Sequence, residues 1–204
     1  NNLGRTIPLY IGGSEVTTED RIPSTNPADV NEVVGEVCQA GVAEIDQAIA
    51  AAVAAQKSWA RRPAQERAEI IMRAAEIAKE RIFDLCAVQV LEVGKQWDQS
   101  HADVGEAIDF MEYYARDMIR LGSPRRLGSA PGELNHYFYQ PCGVAAVIAP
   151  WNFPLAISCG MCAAAMVTGN TVLYKPSNLA PMVGHTLCTI FREAGIPDGV
   201  FNFT

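Results

Sequence analysis

Clustered positive charge is scarce in this sequence. Its 16 Lys and Arg are outnumbered by 23 Asp and Glu, which gives a net charge of −7, and basic residues stand side by side only at Arg61-Arg62 and Arg125-Arg126. Nucleic-acid grooves and basic membrane patches both need clustered Lys and Arg. The sequence therefore predicts no nucleic-acid partner. It also has no apolar run of membrane-spanning length and no signal peptide at its start.

Signatures of metal sites and of disulfide frameworks are missing as well. The six Cys are scattered, and several lie in apolar surroundings typical of reduced core Cys. This pattern predicts a reducing, cytoplasmic compartment. Cys159 and Cys162 form a CxxC, but no second CxxC and no His-x3-His completes a zinc ligand set. We therefore predict no metal site, with both thiols on one helix face and a redox role as the open alternative.

Both standard phosphate-binding loops are missing too. The sequence has no G-x-G-x-x-G after a predicted strand and no G-x4-G-K-[ST]. Any nucleotide site in this chain must therefore be formed by other residues.

The first 121 residues combine strands with helices. The apolar run Ile7 to Ile11 and the valines around Val34 indicate strands, and helical spacing of apolar residues predicts four helices after them. The last of these helices runs from about Asp98 to Leu121. Residues 122–132 are rich in Gly, Pro and Ser and predict a loop, and the aromatic segment His136 to Gln140 predicts a strand without an obvious local partner.

From Gly143 the chain alternates strand, helix, strand, helix, strand. The predicted elements cover Val144 to Ala149, Leu155 to Val167, Asn170 to Tyr174, Pro181 to Ala194 and Val200 to Thr204. This order is typical of an α/β fold with a parallel, doubly wound, Rossmann-like sheet. Such a sheet is not expected to end in mid-strand at Thr204. We therefore expect an incomplete sheet in a piece of a longer protein.

Two unusual turns follow the first two strands of this unit, where α/β sheets bind ligands. In PWNFP (Pro150 to Pro154), the amide of Asn152 is suited to donate to an oxyanion, or else to bond its own backbone in the turn. In KPS, Lys175 is suited to bind ribose hydroxyls or a phosphate, or else it is a surface Lys. The residues alone indicate an α/β protein that binds a nucleotide.

Longer segments add a resemblance. VIAPWNFP, TGNTVLYKPS and EAGIPDGVFNF resemble the aldehyde dehydrogenase superfamily in order and spacing, and NPADVNEVVGEV and AAQKSWARRPAQERAEI extend the likeness over nearly the whole chain. The resemblance implies a homo-oligomer with an oligomerisation flap near residues 136–140. It also implies NAD(P)-dependent oxidation of a small-molecule aldehyde to an acid through a thiohemiacetal on a Cys.

The resemblance also implies site residues. Asn152 becomes the oxyanion donor, and Phe153 lines the aldehyde pocket. Asn178 stands where many members have a Glu that bridges the ribose hydroxyls, so NADP stays possible beside NAD. The implied cofactor contacts are Ile148, Ala149, Pro150, Trp151, Lys175, Ser177 and Asn178.

A narrower resemblance concerns the substrate. EAIDFMEYYARDMIRL and PGELNHYFYQPCGV look like the pyrroline-5-carboxylate dehydrogenases of proline catabolism, which oxidise glutamate semialdehyde and are in part fused behind a proline dehydrogenase. In that group Glu106 would point toward the catalytic pocket, and otherwise it is a solvated helix Glu. Other semialdehyde or aromatic-aldehyde dehydrogenases, and a non-catalytic scaffold of this fold, stay open.

The resemblance places the nucleophilic Cys and the general-base Glu beyond residue 204. We therefore expect half an active site here, no catalytic domain, and no activity of this chain alone. The predicted division has strands and helices of the cofactor-binding domain in 1–121, a loop and flap strand in 122–142, and the first part of the Rossmann-like core in 143–204.

Overall fold

The structure is a computed structural model and describes residues 4–204, which form six α-helices and ten β-strands. The helices are α1 (Val42–Arg61), α2 (Ala64–Glu80), α3 (Ile82–Val93), α4 (Trp97–Leu121), α5 (Ala156–Val167) and α6 (Pro181–Glu193). The strands are β1 (Arg5–Ile7), β2 (Leu9–Ile11), β3 (Ser14–Val16), β4 (Arg21–Asn26), β5 (Asp29–Cys38), β6 (Arg125–Arg126), β7 (His136–Tyr137), β8 (Val144–Ile148), β9 (Thr171–Lys175) and β10 (Phe201–Phe203).

The carboxyl-terminal unit has the predicted α/β order. Strands β8 and β9 pair in parallel from Val144 opposite Thr171 to Ile148 opposite Lys175, and β10 pairs in parallel with the other edge of β9. The predicted Rossmann-like parallel arrangement is thereby confirmed. Because Ile148 and Lys175 are register partners, the two unusual turns begin side by side at one edge of the sheet.

The amino-terminal strands extend this sheet and build another. Strand β2 pairs antiparallel with β10, and β3 pairs with β2, so the five-stranded order is β3-β2-β10-β9-β8. Strand β1 lies in a second sheet, β1-β5-β4. The run Ile7 to Ile11 is therefore two strands in two sheets, separated by Pro8, which has no N–H to continue a ladder.

Helices α1 to α4 were predicted from apolar periodicity. On α1 only part of the stripe is buried, since Ala48 and Ala52 face the core whereas Ile49 and Val53 are 43% and 58% exposed. On α4 the stripe is buried as expected at Val104, Ile108, Met111, Ala115 and Met118. Helix α4 packs between α2 and α5, and Gly94 ends α3 in the left-handed conformation with φ +63°. None of the helices described in residues 4–204 is long and apolar enough to cross a membrane.

The aromatic segment differs from its prediction. The strand expected over His136 to Gln140 covers only His136–Tyr137, and it has a local partner, since Arg125 and Arg126 pair with it inside the predicted loop. The prediction that it lacks a partner was wrong because the pairing uses just two residues on each side, too short to show alternation in the sequence. The aromatic side chains of Tyr137, Phe138 and Tyr139 remain about half exposed.

Candidate functional site

The two proline-containing turns lie next to each other at the carboxyl ends of β8 and β9. The N–H of Ala149 donates to the carbonyl of Lys175 at 3.1 Å, so the strand pairing continues up to the first residues of both turns. Beyond that point Pro150 and Pro176 supply no N–H, which ends the ladder. The turns therefore leave the sheet together and carry their side chains to its ligand-binding edge.

Asn152 combines a tethered backbone with an uncommitted side chain. Its carbonyl accepts a hydrogen bond from Lys95 Nζ at 2.8 Å. Its side-chain amide is exposed and has no hydrogen-bond partner among residues 4–204. The side-chain amide of an Asn that stabilises its own turn would form a hydrogen bond with the backbone of that turn. The geometry therefore leaves the Asn152 amide available for a ligand.

Lys95 and Asp103 lie beneath the Asn152 turn. Lys95 Nζ is 4.0 Å from the centre of the Phe153 ring and 3.7 Å from Asp103 Oδ1. The carboxylate of Asp103 also accepts the N–H groups of Leu155 at 3.2 Å and Ala156 at 3.4 Å, at the start of α5. Burial raises the pKa of Asp103, and the Lys95 charge acts against that rise.

The second turn orders its own polar groups. Lys175 Nζ donates to the Pro176 carbonyl at 3.1 Å and to Asn178 Oδ1 at 3.2 Å. The hydroxyl oxygen of Ser177 accepts the N–H of Leu179 at 3.2 Å. Gly184 of α6 approaches the turn so closely that a Cβ there would lie 2.7 Å from Pro176 Cβ. Three polar side chains are thus presented together by a turn that is packed against α6.

Two cavities adjoin this turn. One, of about 190 Å³, is lined by Lys175, Ser177 and Asn178 together with mostly apolar residues of β4, β5 and β10 and the start of α1. The other, of about 280 Å³, has Trp151, Asn178, Leu179 and Glu92 among its lining residues. The structure therefore brings Trp151 and the Lys175 turn together around Asn178.

Glu92 closes the inner side of the second cavity. Its carboxylate accepts the N–H groups of Met182 (2.7 Å) and Val183 (2.8 Å) at the start of α6 and the hydroxyl of Ser24 (2.7 Å). Burial raises the pKa of Glu92 to about 7, against the effect of these three donors. The first turn of α6 is thus filled by a carboxylate of the protein itself, as that of α5 is by Asp103.

The remaining predicted residues lie around these turns. Ile148 is exposed at the end of β8, Ala149 is buried, and Pro150 is half-buried. Glu106 is exposed on α4, one turn after Asp103. The structure places Glu106 on the helix that supports the Asn152 turn, and it records no contact between Glu106 and Asn152 or Phe153.

Lys95, Asp103 and Glu92 were not found from the sequence. The available signal was an acidic residue beside or within the apolar stripe of a helix. Asp103 directly precedes Val104 of the α4 stripe, and Glu92 lies two turns after Leu85 on the same face of α3. Buried carboxylates need partners, so such positions indicate a capping or functional role.

Five of the six cysteines are buried, and Cys142 is exposed. Cys159 and Cys162 lie fully buried on one face of α5, as expected, and burial raises the pKa of both thiols. Burial likewise raises the pKa of Cys188 to about 12. A thiol reacts as its thiolate, so these three are poor nucleophiles. Residues 4–204 contain no group of three or more His, Cys, Asp and Glu side chains arranged for a metal ion.

Comparison with known proteins agrees with this architecture. A 1-pyrroline-5-carboxylate dehydrogenase of Anoxybacillus flavithermus is 48% identical over 98% of this chain, which covers 39% of that protein. The chain thus spans about two fifths of the length of the curated relatives it matches.

Two solved structures are similar throughout. A Thermus 1-pyrroline-5-carboxylate dehydrogenase with bound NAD aligns with a TM-score of 0.96 and 47% identity over 98% of this chain and 39% of its own. Proline utilization A of Bdellovibrio bacteriovorus aligns with a TM-score of 0.97 and 44% identity over 99% of this chain and 21% of its own. The sequence profile of the aldehyde dehydrogenase family matches residues 15–204. The chain therefore belongs to the aldehyde dehydrogenase family.

Proposed function

We propose that this chain is the amino-terminal part of an NAD-dependent dehydrogenase that oxidises glutamate semialdehyde, the open form of 1-pyrroline-5-carboxylate, to glutamate. The proteins of Thermus and Anoxybacillus that are named 1-pyrroline-5-carboxylate dehydrogenase are 47% and 48% identical to this chain. These matches cover 98% of the chain.

The free amide of Asn152 is the observation that carries the proposal. An exposed amide on a tethered backbone is suited to donate a hydrogen bond to the aldehyde oxygen as it gains negative charge. Phe153, beside it, forms a wall of the aldehyde pocket, and Glu106 contributes a carboxylate from α4. The Asn152 amide would bind the oxygen most strongly in the transition state, which is what accelerates a reaction.

The donor set around the 190 Å³ cavity fits NAD. Lys175, Ser177 and Asn178 offer an ammonium, a hydroxyl and an amide beside apolar walls, a combination suited to a ribose with an adjoining flat base. Trp151, Pro150, Ala149 and Ile148 would guide the rest of the cofactor toward Asn152. Bound NAD supplies the hydride acceptor. Asn178 has no charge to repel a 2′-phosphate, so NADP is a second cofactor within this proposal.

The nucleophile is proposed to lie outside this chain, because the turns bring no reactive thiol to the Asn152 amide. Cys159 is the Cys nearest in sequence, and its Sγ points into the core, 3.5 Å from the carbonyl of Ala107. The proposed organisation has residues 1–121 and 143–204 in the cofactor-binding domain, a flap at 122–142, and a homo-oligomeric whole.

Steady-state kinetics of the full-length protein with glutamate semialdehyde test the proposal. Asn152→Ala should lower kcat and kcat/KM together, by on the order of a hundredfold to a thousandfold, with little change in NAD affinity. Lys175→Ala should weaken NAD binding with a smaller effect on the saturated rate.

Two controls accompany this test. Thermal melts show whether Asn152→Ala merely unfolds the turn, in which case Asn152 is structural and the proposal loses its main support. Residues 1–204 alone, incubated with NAD and glutamate semialdehyde, should form no reduced cofactor. Turnover by that chain would contradict the placement of the nucleophile, and full turnover of another aldehyde with none of glutamate semialdehyde would contradict the substrate.

A further inference from the structure

Lys95 occupies the short connection between α3 and α4. Gly94 ends α3 and Gln96 caps α4, so Lys95 lies between two helix ends whose backbones are defined by packing. Its side chain is 10% exposed, although a lysine at a helix connection is usually solvated. The burial indicates that the ammonium group is directed inward, toward the Asn152 turn.

The Lys95 ammonium group contacts that turn at two neighbouring residues. It donates to the Asn152 carbonyl at 2.8 Å and lies over the Phe153 ring at 4.0 Å. A buried cation over an aromatic face gains from the ring quadrupole, and a charged donor makes a stronger hydrogen bond than a neutral one. The backbone carbonyl and the aromatic ring are thereby held by one atom.

Asp103 attaches the other end of the turn to the same helix pair. Its fully buried carboxylate accepts the N–H groups of Leu155 and Ala156 and faces the Lys95 ammonium at 3.7 Å. Lys95 and Asp103 therefore connect the whole stretch from Asn152 to Ala156 to α4. Pro150 and Pro154 restrict only their own φ angles and leave the rotations of the residues between them to these contacts.

We propose that Lys95 and Asp103 are positioning residues that aim the Asn152 amide without binding it. A side chain that makes no bond of its own takes its direction from its backbone, and Lys95 holds the carbonyl of that same residue. This arrangement keeps the donor oriented before substrate arrives, which is the condition for efficient oxyanion stabilisation. The inference rests on the proposed role of Asn152.

Kinetics of the full-length protein with substitutions at Lys95 and Asn152, singly and together, test the inference. Lys95→Met keeps the apolar stem and removes the charge. It should lower kcat and kcat/KM together by about tenfold to a hundredfold, as small misplacements of a catalytic group do. The NAD dissociation constant should stay unchanged. Lys95→Arg should restore part of the rate, since it returns a charged donor.

The double variant separates positioning from general support of the fold. If Lys95 acts through Asn152, Lys95→Met in an Asn152→Ala background should change the rate by no more than about twofold. Lys79→Met is the matched control, because Lys79 also forms ion pairs, with Glu76 and Glu112, but on α2 away from both turns. This control should leave kcat unchanged.

Each outcome decides between the two ideas. If the rate losses of the two single variants multiply in the double variant, Lys95 does not act through Asn152, and the positioning role is overturned while the role of Asn152 stands. An unchanged rate in Lys95→Met would have the same consequence. An unchanged rate in Asn152→Ala would instead overturn the proposed function. If Lys95→Met does not fold, Lys95→Gln, which keeps an uncharged donor, is measured against the same predictions.

Discussion

In the proposed NAD site, Asn178 is the position where a single charge would alter the choice of cofactor. Its side-chain oxygen accepts a hydrogen bond from Lys175 at 3.2 Å, and its residue lines both cavities of the site. A carboxylate at this position would still accept from Lys175, so the turn would keep its shape. If the ribose binds beside Asn178 as proposed, this carboxylate would also repel a 2′-phosphate, which is discrimination by an unfavourable contact with the wrong ligand.

Asn178→Glu in the full-length protein should therefore raise the ratio of kcat/KM for NAD to that for NADP by about tenfold or more, mainly through weaker use of NADP. Asn178→Gln is the matched control, because it adds the same length without the charge, and it should shift the ratio much less. Equal changes with both cofactors would show that Asn178 does not face the 2′ position.

Some site residues were visible in the sequence and others were not, for a physical reason. Asn152 and Lys175 stand in short turns bounded by prolines after predicted strands, a pattern read from adjacent residues alone. Lys95 meets Asn152 across 57 residues of chain, and Asp103 meets Leu155 across 52. Such contacts depend on how α3 and α4 pack on the sheet, which apolar periodicity does not specify.

At the scale of elements, α5 and α6 share one arrangement of end groups. Asp103 binds the first N–H groups of α5, and Arg67 donates to the Val167 carbonyl at its other end. Glu92 and Arg73 do the same for α6, where Arg73 donates to the Ala194 carbonyl. Acids at helix starts and cations at helix ends complement the helix dipole. All four side chains come from α2, α3 and α4.

This arrangement explains the lack of a phosphate-binding loop. A helix start that binds phosphate needs free N–H groups and a Gly-rich approach. Here carboxylates of the protein occupy the first turns of both helices that follow β8 and β9. The lengths of α5 and α6 were predicted to within one residue at each end, whereas their caps were not, because neither helix has a capping side chain of its own.

The cap of α6 predicts a pH dependence of stability. Burial raises the pKa of Glu92 from 4.5 to about 7, so the folded protein binds this proton more tightly than the unfolded chain. The contribution of Glu92 to the unfolding free energy is therefore largest below about pH 4.5 and falls as pH rises through about 7, by an amount on the order of 3 kcal/mol.

Glu92→Gln removes the titration. The melting temperature of the wild type, relative to that of Glu92→Gln, should fall between about pH 5 and pH 8. Glu80→Gln, at an exposed position of α2, controls for the loss of one carboxylate from the net charge. If the melting temperature of the wild type relative to that of Glu92→Gln instead rises toward pH 8, the three hydrogen-bond donors outweigh burial and keep Glu92 ionised.

At the scale of the whole molecule, local order was more predictable than assembly of the sheets. The alternation of strands and helices after Gly143 is enough to predict a parallel unit from the sequence. The addition of β2 and β3 to that unit depends on contacts such as the Gly12 N–H to Asn202 Oδ1, which spans 190 residues. The division of the chain at residues 121 and 142 stays a prediction.

Exposed apolar side chains cluster around the short β6-β7 pair at the surface of the molecule. Tyr137, Phe138 and Tyr139 are 48%, 56% and 56% exposed, next to exposed Leu127 and Leu134. Two pairs of residues make a weak hairpin by themselves, since isolated two-stranded ribbons are marginal in water. Exposed aromatic side chains on a short ribbon are typical of an interface.

We therefore expect this chain to self-associate through residues 134–139. Phe138→Ser should raise the dissociation constant measured by sedimentation at least about tenfold, because loss of a buried aromatic anchor commonly costs about 2 kcal/mol or more. Val42→Ser is the control: Val42 is 80% exposed at the start of α1, far along the chain from the ribbon, and its loss should leave the association unchanged. A wild-type chain that sediments as a sharp monomer, with amides at 136–140 protected from hydrogen exchange, would contradict the expectation, because the ribbon would then be stable without a second copy.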